Sequence, residues 1–484
     1  MRVLLVNPTA FFEVVGNNPE VIEESRGHNP PLGILSLAGY LEQHSDHDLT
    51  ILDTQAEELS YRQIAQRVRA AEPDVVGITT MTLTLVDVLR VVDVVRAEAP
   101  QAKVVLGGPH PHLYPEETIR LPGVDFLVLG EGEITFKDLL DRIRDAGPYD
   151  SIPGIVFRRN GEVVQTAPPQ IIQDLDSLPF PARHLTDVRS YGSVLSPRQP
   201  VTTMFTSRGC PFSCTFCDRP HLGKRFRARS PVNVVDEMER CIEMGIHEFL
   251  IYDDTFTVRR PRVVAICEEI LRRGLDVGYD VRARVDTVDE ELLKLMARSG
   301  CRGIHYGVEA GTEKILTVLH KGIDLEEARK AFEATRRAGM QVLAYFMIGS
   351  PGETHPDIME TFRVARELNP DYLHMTILTP FPGTAIYRDG LDSGMLERDS
   401  WREFARVGNL GFVPPHWPEN FTLEELQELL REGYRGFYRR PRYLLKRIMT
   451  VRSVGELMRK SRAGWKVLTM GRRDRSITPW RTGR

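Results

Sequence analysis

The chain has 484 residues, 42% hydrophobic and 27% charged, an ordinary globular profile with length for about three compact units. No run of about 18 apolar residues occurs to cross a bilayer, and the opening Met1-Arg2-Val3-Leu4-Leu5-Val6-Asn7-Pro8 is too short and too polar for a signal peptide, so a cytoplasmic protein is expected. The net charge of −4 hides an asymmetry: residues 431–484 hold 17 basic and 3 acidic residues, a tail of +14 on a body of −18. Six cysteines are too few for a disulfide framework.

Short runs of Val, Ile and Leu at 2–7, 49–53, 74–79, 103–107 and 125–129 alternate with segments of helical period near 31–43, 60–71, 85–98 and 133–145. Strands apolar at nearly every position are covered on both faces. Residues 1–145 therefore predict a doubly wound (Rossmann-like) α/β unit with a parallel sheet and a ligand crevice at the carboxyl ends of its strands. Two β runs around Asn160-Gly161 predict a hairpin, and Pro168, Pro169, Pro179 and Pro181 break regular structure, so 146–200 reads as a connector.

The alternation resumes over 201–395, with strands at 202–206, 247–252, 278–283, 302–308, 341–347 and 372–377. Helices are expected near 232–244, 259–273, 288–299, 325–338 and 356–368. This is a partial (β/α)6 barrel, whose site belongs at the carboxyl ends of the strands. Residues 396–484 read as a helical C-terminal region. Thr422 and Glu425 have capping-box spacing for a helix over 422–437, and 438–484 is a basic tail with interleaved aromatics.

Cys210, Cys214 and Cys217 fall within eight residues, directly after the first strand of the second unit. Clustered thiolates suit iron–sulfur or zinc. A structural zinc needs four ligands, and His221 is the one local candidate for the fourth. A four-iron cluster on three thiolates leaves one iron open. A zinc loop and unliganded buried cysteines are the alternatives. Cys241, Cys267 and Cys301, far apart in sequence, read as small buried hydrophobes.

The loop resembles the signature of the radical S-adenosylmethionine (SAM) superfamily: three cysteines separated by three and two residues, with an aromatic, here Phe216, before the third. The resemblance implies a 4Fe-4S cluster on Cys210, Cys214 and Cys217 and SAM chelated by the open iron. It also implies a low-potential electron donor and cleavage of SAM to a 5′-deoxyadenosyl radical. The family's SAM-binding pattern is matched at the strand ends by Asp253 and Asp254, Arg282 and Arg284, Glu309, and Gly349. It implies Glu309 for the ribose or amino group and Arg284 for the carboxylate.

The first unit lacks the G-x-G-x-x-G of dinucleotide sites after its first strand, where Asn7-Pro8-Thr9 stands. It resembles the cobalamin-binding domain that precedes many radical SAM domains. The matching stretches hold Gly33 before the first helix, Gly107, Gly108 and His110 after the fourth strand, and Gly130 and Glu131 after the fifth. No Asp-x-His-x-x-Gly motif occurs, so no histidine from that motif is expected beneath cobalt.

The resemblance spans residues 1–390 and is closest to the class that includes the anaerobic magnesium-protoporphyrin ester cyclase. It implies radical chemistry at an unactivated carbon: first, C-methylation of a small-molecule or lipid-like substrate; second, oxidative cyclisation with the same cofactors. An RNA-modifying methylthiotransferase would need N-terminal cysteines, and none precedes Cys210. A non-catalytic cobalamin sensor leaves the cysteine loop unexplained. The basic tail suits either docking on the acidic body or peripheral binding to an anionic membrane surface, with nucleic acid set aside as a partner.

Overall fold

A computed structural model describes residues 1–14, 28–193, 196–218, 223–441 and 443–445. The first sheet contains β1 (Arg2–Asn7), β2 (Asp48–Asp53), β3 (Val75–Thr79), β4 (Lys103–Gly107), β5 (Phe126–Val128), β6 (Ile155–Arg159) and β7 (Glu162–Gln165), in the order β2-β1-β3-β4-β5-β6-β7. Strands β1–β5 are parallel, and their order turns back between β1 and β3, the switch point of a doubly wound sheet. Apolar side chains from both faces build two cores under crossover helices, which explains strands apolar at nearly every position.

The hairpin falls where Asn160-Gly161 places it, but it is no part of a free connector. Val128 pairs antiparallel with Ile155, so β6 and β7 extend the first sheet and cover the edge of β5.

The second sheet consists of β8 (Val201–Met204), β11 (Glu248–Ile251), β12 (Gly278–Ala283), β13 (Cys301–Glu309), β14 (Gln341–Ile348) and β15 (Tyr372–Ile377). They run parallel in sequence order, with helices packed outside. A separate two-residue ladder, β9 (Ser207–Arg208) with β10 (Arg227–Ala228), is antiparallel. Alternation sorts the side chains: Tyr306 of β13 points outward to Phe332 and Thr335, whereas His305, Gly307 and Glu309 belong to the opposite, inner face.

The C-terminal region is joined to both units. Trp401, Phe404 and Phe412 pack into the core of the first sheet. The helix Leu423–Tyr438, opened by the expected Thr422–Glu425 capping box, lies along β15, the edge strand of the barrel. An exposed edge strand presents unpaired N–H and C=O groups. Tyr434 Oη accepts from the Met375 N–H and donates to the Met375 carbonyl, both at 2.8 Å. Tyr438 does the same at Leu373, both at 3.0 Å, and Tyr443 Oη donates to the Asp371 carbonyl at 2.8 Å. Four residues of helix rise about 6 Å and two of strand about 6.6 Å, so an i, i+4 tyrosine pair matches alternate strand positions. The aromatics at 434–443 that the sequence left open to membrane or docking are spent as an edge cap; residues 446–484 lie outside the described ones.

Tyr434→Phe removes both bonds at Met375 inside a dry contact. It should cost about 1–3 kcal/mol, read as a lower urea midpoint and faster hydrogen exchange of the Met375 amide.

Candidate functional site

The cysteine loop leaves the barrel at the end of β8 and is closed at its base by the β9–β10 ladder. Asp253, wholly buried after β11, accepts from the backbone N–H groups of Thr206 and Ser207 at 2.6 and 3.0 Å and from their hydroxyls at 2.5 and 2.6 Å. Both its oxygens are occupied, so it shapes the approach to the loop. Gly209 turns the chain at φ +81°, and a Cβ there would collide with the Arg225 carbonyl, so no side chain fits.

The two legs of the ladder carry Arg208 and Arg227, and one carboxylate of the first unit holds both. Glu131 meets Arg208 at 3.0 Å and Arg227 at 2.9 Å and accepts from the Ile172 N–H at 2.8 Å. Glu133 pairs with Arg208 as well. Burial pushes the Glu131 carboxyl upward, but the Arg227 hydrogen bond and the Arg208 charge win and hold it below its ordinary value. Glu131, expected beside cobalamin, lies buried in this ion network.

Within the loop, Cys210 is buried with Sγ 3.8 Å from Thr255 Oγ1, and Cys214 and Cys217 are half-buried. The Cys217 N–H donates to the Cys214 carbonyl at 3.3 Å, and the Thr215 N–H to the Leu319 carbonyl at 3.0 Å. Phe216 is partly buried against the barrel core. None of the six cysteines is in a disulfide, and Cys241, Cys267 and Cys301 are buried in that core; burial pushes the Cys241 thiol up to about 11, the behaviour of an inert thiol. Three thiols on one loop suit an iron–sulfur cluster. Among the described residues no three His, Cys, Asp or Glu side chains gather around one metal ion.

Around the rim, Arg284 stacks over Phe212 of the cysteine loop, its Cζ 3.9 Å from the ring centre. Its Nε and Nη2 meet Asp286 at 2.9 and 2.8 Å, while Nη1 is buried with no partner among the described residues. A free guanidinium donor beside that loop fits an incoming carboxylate. Glu309 sits at φ +73°, unusual for a side chain, at a register shift where β13 meets β14; such bulges re-aim side chains beside sites. Its carboxylate meets Lys321 at 2.7 Å, both buried. Lys321 is missed by sequence reasoning because a lone lysine in a loop carries no signal. Asp254 is exposed. Gly349 packs against Leu426 of the C-terminal helix, and its N–H bonds Glu353 at 2.6 Å. Burial raises the Glu353 carboxyl to about 7 despite that bond and one from Ser350.

At the strand ends of the first unit, Cβ atoms at Gly33 and Gly107 would meet open space, nothing within 4 Å at Gly33 and only the Val128 carbonyl at 3.8 Å at Gly107. Gly108, at φ +104°, lies against Thr80. Gly33 and Gly107 leave room for a flat ligand against backbone, whereas a Cβ at Gly108 would come within 3.0 Å of the Thr80 carbonyl oxygen. Gly130 packs on Pro169 instead. His110 is wholly buried, its Nδ1 3.0 Å from Thr82 Oγ1, and burial pushes it down to about 3, so it stays neutral and offers no outward surface. The sequence gives no hint of Asp87, which anchors the loop after β1 by accepting from Thr9, Tyr61 and the N–H groups of Phe11 and Phe12.

Residues 20–140 match the B12 binding domain family and residues 204–365 the radical SAM superfamily. The chain is 34% identical over 454 residues to an uncharacterised methyltransferase of Pyrococcus horikoshii, covering 93% of this chain and 95% of that one. It is 28% identical to the anaerobic magnesium-protoporphyrin IX monomethyl ester cyclase of Rubrivivax gelatinosus, over 92% of this chain and 78% of that one. Its fold resembles the radical SAM methyltransferase TsrM from Kitasatospora setae, solved with cobalamin and a [4Fe-4S] cluster, at TM-score 0.67 and 21% identity over 81% of this chain and 78% of that one.

Glu131→Ala would remove the shared anion of Arg227 and Arg208, with Glu133 still pairing Arg208, a loss of about 3 kcal/mol at the loop base. Anaerobically reconstituted variant should retain less iron per chain and be cut faster by protease within 209–226; unchanged iron and cutting would detach the loop from this clamp.

Proposed function

Because the chain belongs to the cobalamin-dependent radical SAM enzymes, we propose that it is a C-methyltransferase acting at an unactivated carbon of a small-molecule or lipid-like substrate. The observation that carries this reading is the hold of Glu131 on Arg208 and Arg227, which ties the cysteine loop of the barrel to the strand-end side of the first sheet. When bound, the cluster and SAM supply the radical and cobalamin the methyl group. Cys210, Cys214 and Cys217 would hold the iron. Arg284 would offer Nη1 to the SAM carboxylate, and Glu309, steadied by Lys321, its carboxylate to the amino group or ribose. Gly349, Phe216 and Asp254 would border SAM. Gly33 and Gly107 would leave the corrin its room, Gly108 would turn the chain beside them, and Asp253, Glu131, Gly130 and His110 would shape loops behind the cofactors. The electron would come from a low-potential donor.

The second reading, an oxidative cyclase with the same parts, is favoured by the similarity to the Rubrivivax gelatinosus cyclase. Metabolites of a deletion strain and its parent, grown anaerobically, separate the two. The proposed function expects a precursor lighter than the parental product by one methylene and a deuterated methyl carried into it from labelled SAM. A precursor differing by an open ring and two hydrogens decides for the cyclase. Purified protein that holds zinc and never releases 5′-deoxyadenosine rejects both.

No helix among the described residues is long and apolar enough to cross a membrane. We further propose that residues 446–484, with 12 basic and 2 acidic residues, place the protein peripherally on an anionic membrane. The intact chain should co-sediment with phosphatidylserine vesicles at low salt and be released at high salt; equal binding after deletion of 446–484 would reject the assignment.

A further inference from the structure

The inner face of the barrel holds a cation without an anion. Arg282 of β12 is half-buried, and its Cζ lies 4.2 Å from the centre of the Tyr252 ring. Among the described residues no hydrogen bond or ion pair reaches its guanidinium. Ring contact answers part of the charge, but five N–H donors remain for a partner. The contrast with Arg284, two residues on along the same face, is direct, since Asp286 and the Gly322 carbonyl already engage that side chain. Asp280, two residues back, is drawn to Arg302 and bonded by the Gly303 amide instead.

The surroundings of Arg282 are those of a recognition surface. His305 stands directly across the register on β13, with Nδ1 3.2 Å from Tyr345 Oη. The Tyr345 ring meets His374 edge-on at 5.4 Å. All are half-buried although they stand well within the barrel sheet, because alternation turns them to the lumen. Burial, helped by the Arg282 charge, pushes His305 down to about 3, so it adds a hydrogen-bonding group and no charge. Tyr252 accepts from Asn29 Nδ2 at 2.9 Å, so a loop of the first unit reaches the same corner of the barrel.

Resting on the methyltransferase reading, we propose that Arg282 anchors an oxyanion of the substrate, a carboxylate or phosphate, with His305, Tyr345 and His374 lining the space beside it. The substrate is then an organic acid or phosphate ester, and a lipid-like skeleton qualifies only if it carries such a group. Arg282 determines specificity, whereas Arg284 serves SAM.

The test is arginine modification of the reconstituted holoenzyme by phenylglyoxal, with peptide mass spectrometry reading Arg282. Inorganic phosphate and benzoate are the probes, and methylammonium is the control. At an anion concentration about ten times its dissociation constant, modification of Arg282 should slow roughly tenfold. Protection by phosphate alone, or by benzoate alone, assigns the class of oxyanion. Protection by SAM without either anion would move Arg282 into the SAM site, and no protection by either anion would remove the subsite; both outcomes overturn the proposal. Labelling reads occupancy without turnover, so it fails or holds independently of whether a labelled methyl group reaches any product.

Discussion

A buried carboxylate just after β5 decides where the cysteine loop sits. Glu131 lies in one unit, and the two arginines it binds stand on the two legs of a loop in the other. Taking three charges out of water is costly, and their attraction offsets that cost only with good geometry and further hydrogen bonds. Glu133 and the Ile172 amide supply those bonds. The result is directional. An apolar contact would tolerate sliding, whereas a carboxylate shared by two guanidinium groups fixes both legs of the ladder, and with them Cys210.

The same device recurs at three other loops among the described residues. Asp253 gathers two N–H groups and two hydroxyls before the cysteines, Asp87 gathers the loop after β1, and Glu353 takes the amides of Gly349 and Ser350. Loops at strand ends cannot bond their amides to a sheet, and a buried amide without a partner is expensive. A carboxylate accepts several at once. The direction of each pKa shift shows what balances burial: arginines hold Glu131 low, while burial outweighs the neutral hydrogen-bond donors at Asp87 and Glu353 and leaves both raised.

The described start of the basic, aromatic C-terminal stretch is used inside the fold, the docking reading of the two its composition suggests. Basic residues with interleaved aromatics read as a surface for membranes or acidic partners. In the structure Tyr434, Tyr438 and Tyr443 close the edge of an open barrel, and Arg440 bonds the carbonyls of Phe437 and Arg366. The closure matters to the site because Leu426 of the same helix packs on Gly349.

Strands, helices and their parallel order were legible in the sequence, because period 2, period 3.6 and turn residues are local signals. The cysteine loop was legible too, since metal-ligand spacing survives without knowledge of the fold. What the sequence could not separate was glycine or carboxylate that faces a ligand from glycine or carboxylate that supports a loop. Gly107 and Gly130, or Arg284 and Glu131, look alike as letters near strand ends. Their roles depend on partners 30 to 100 residues away: Pro169 against Gly130, and Arg208 and Arg227 against Glu131. Lys321 beside Glu309 and the unanswered Arg282 belong to the same category. Local pattern determines which elements form and where the chemistry clusters, whereas charge pairing and edge closure are long-range, so only the tertiary structure decided which groups were spent on the fold and which remain free for a ligand.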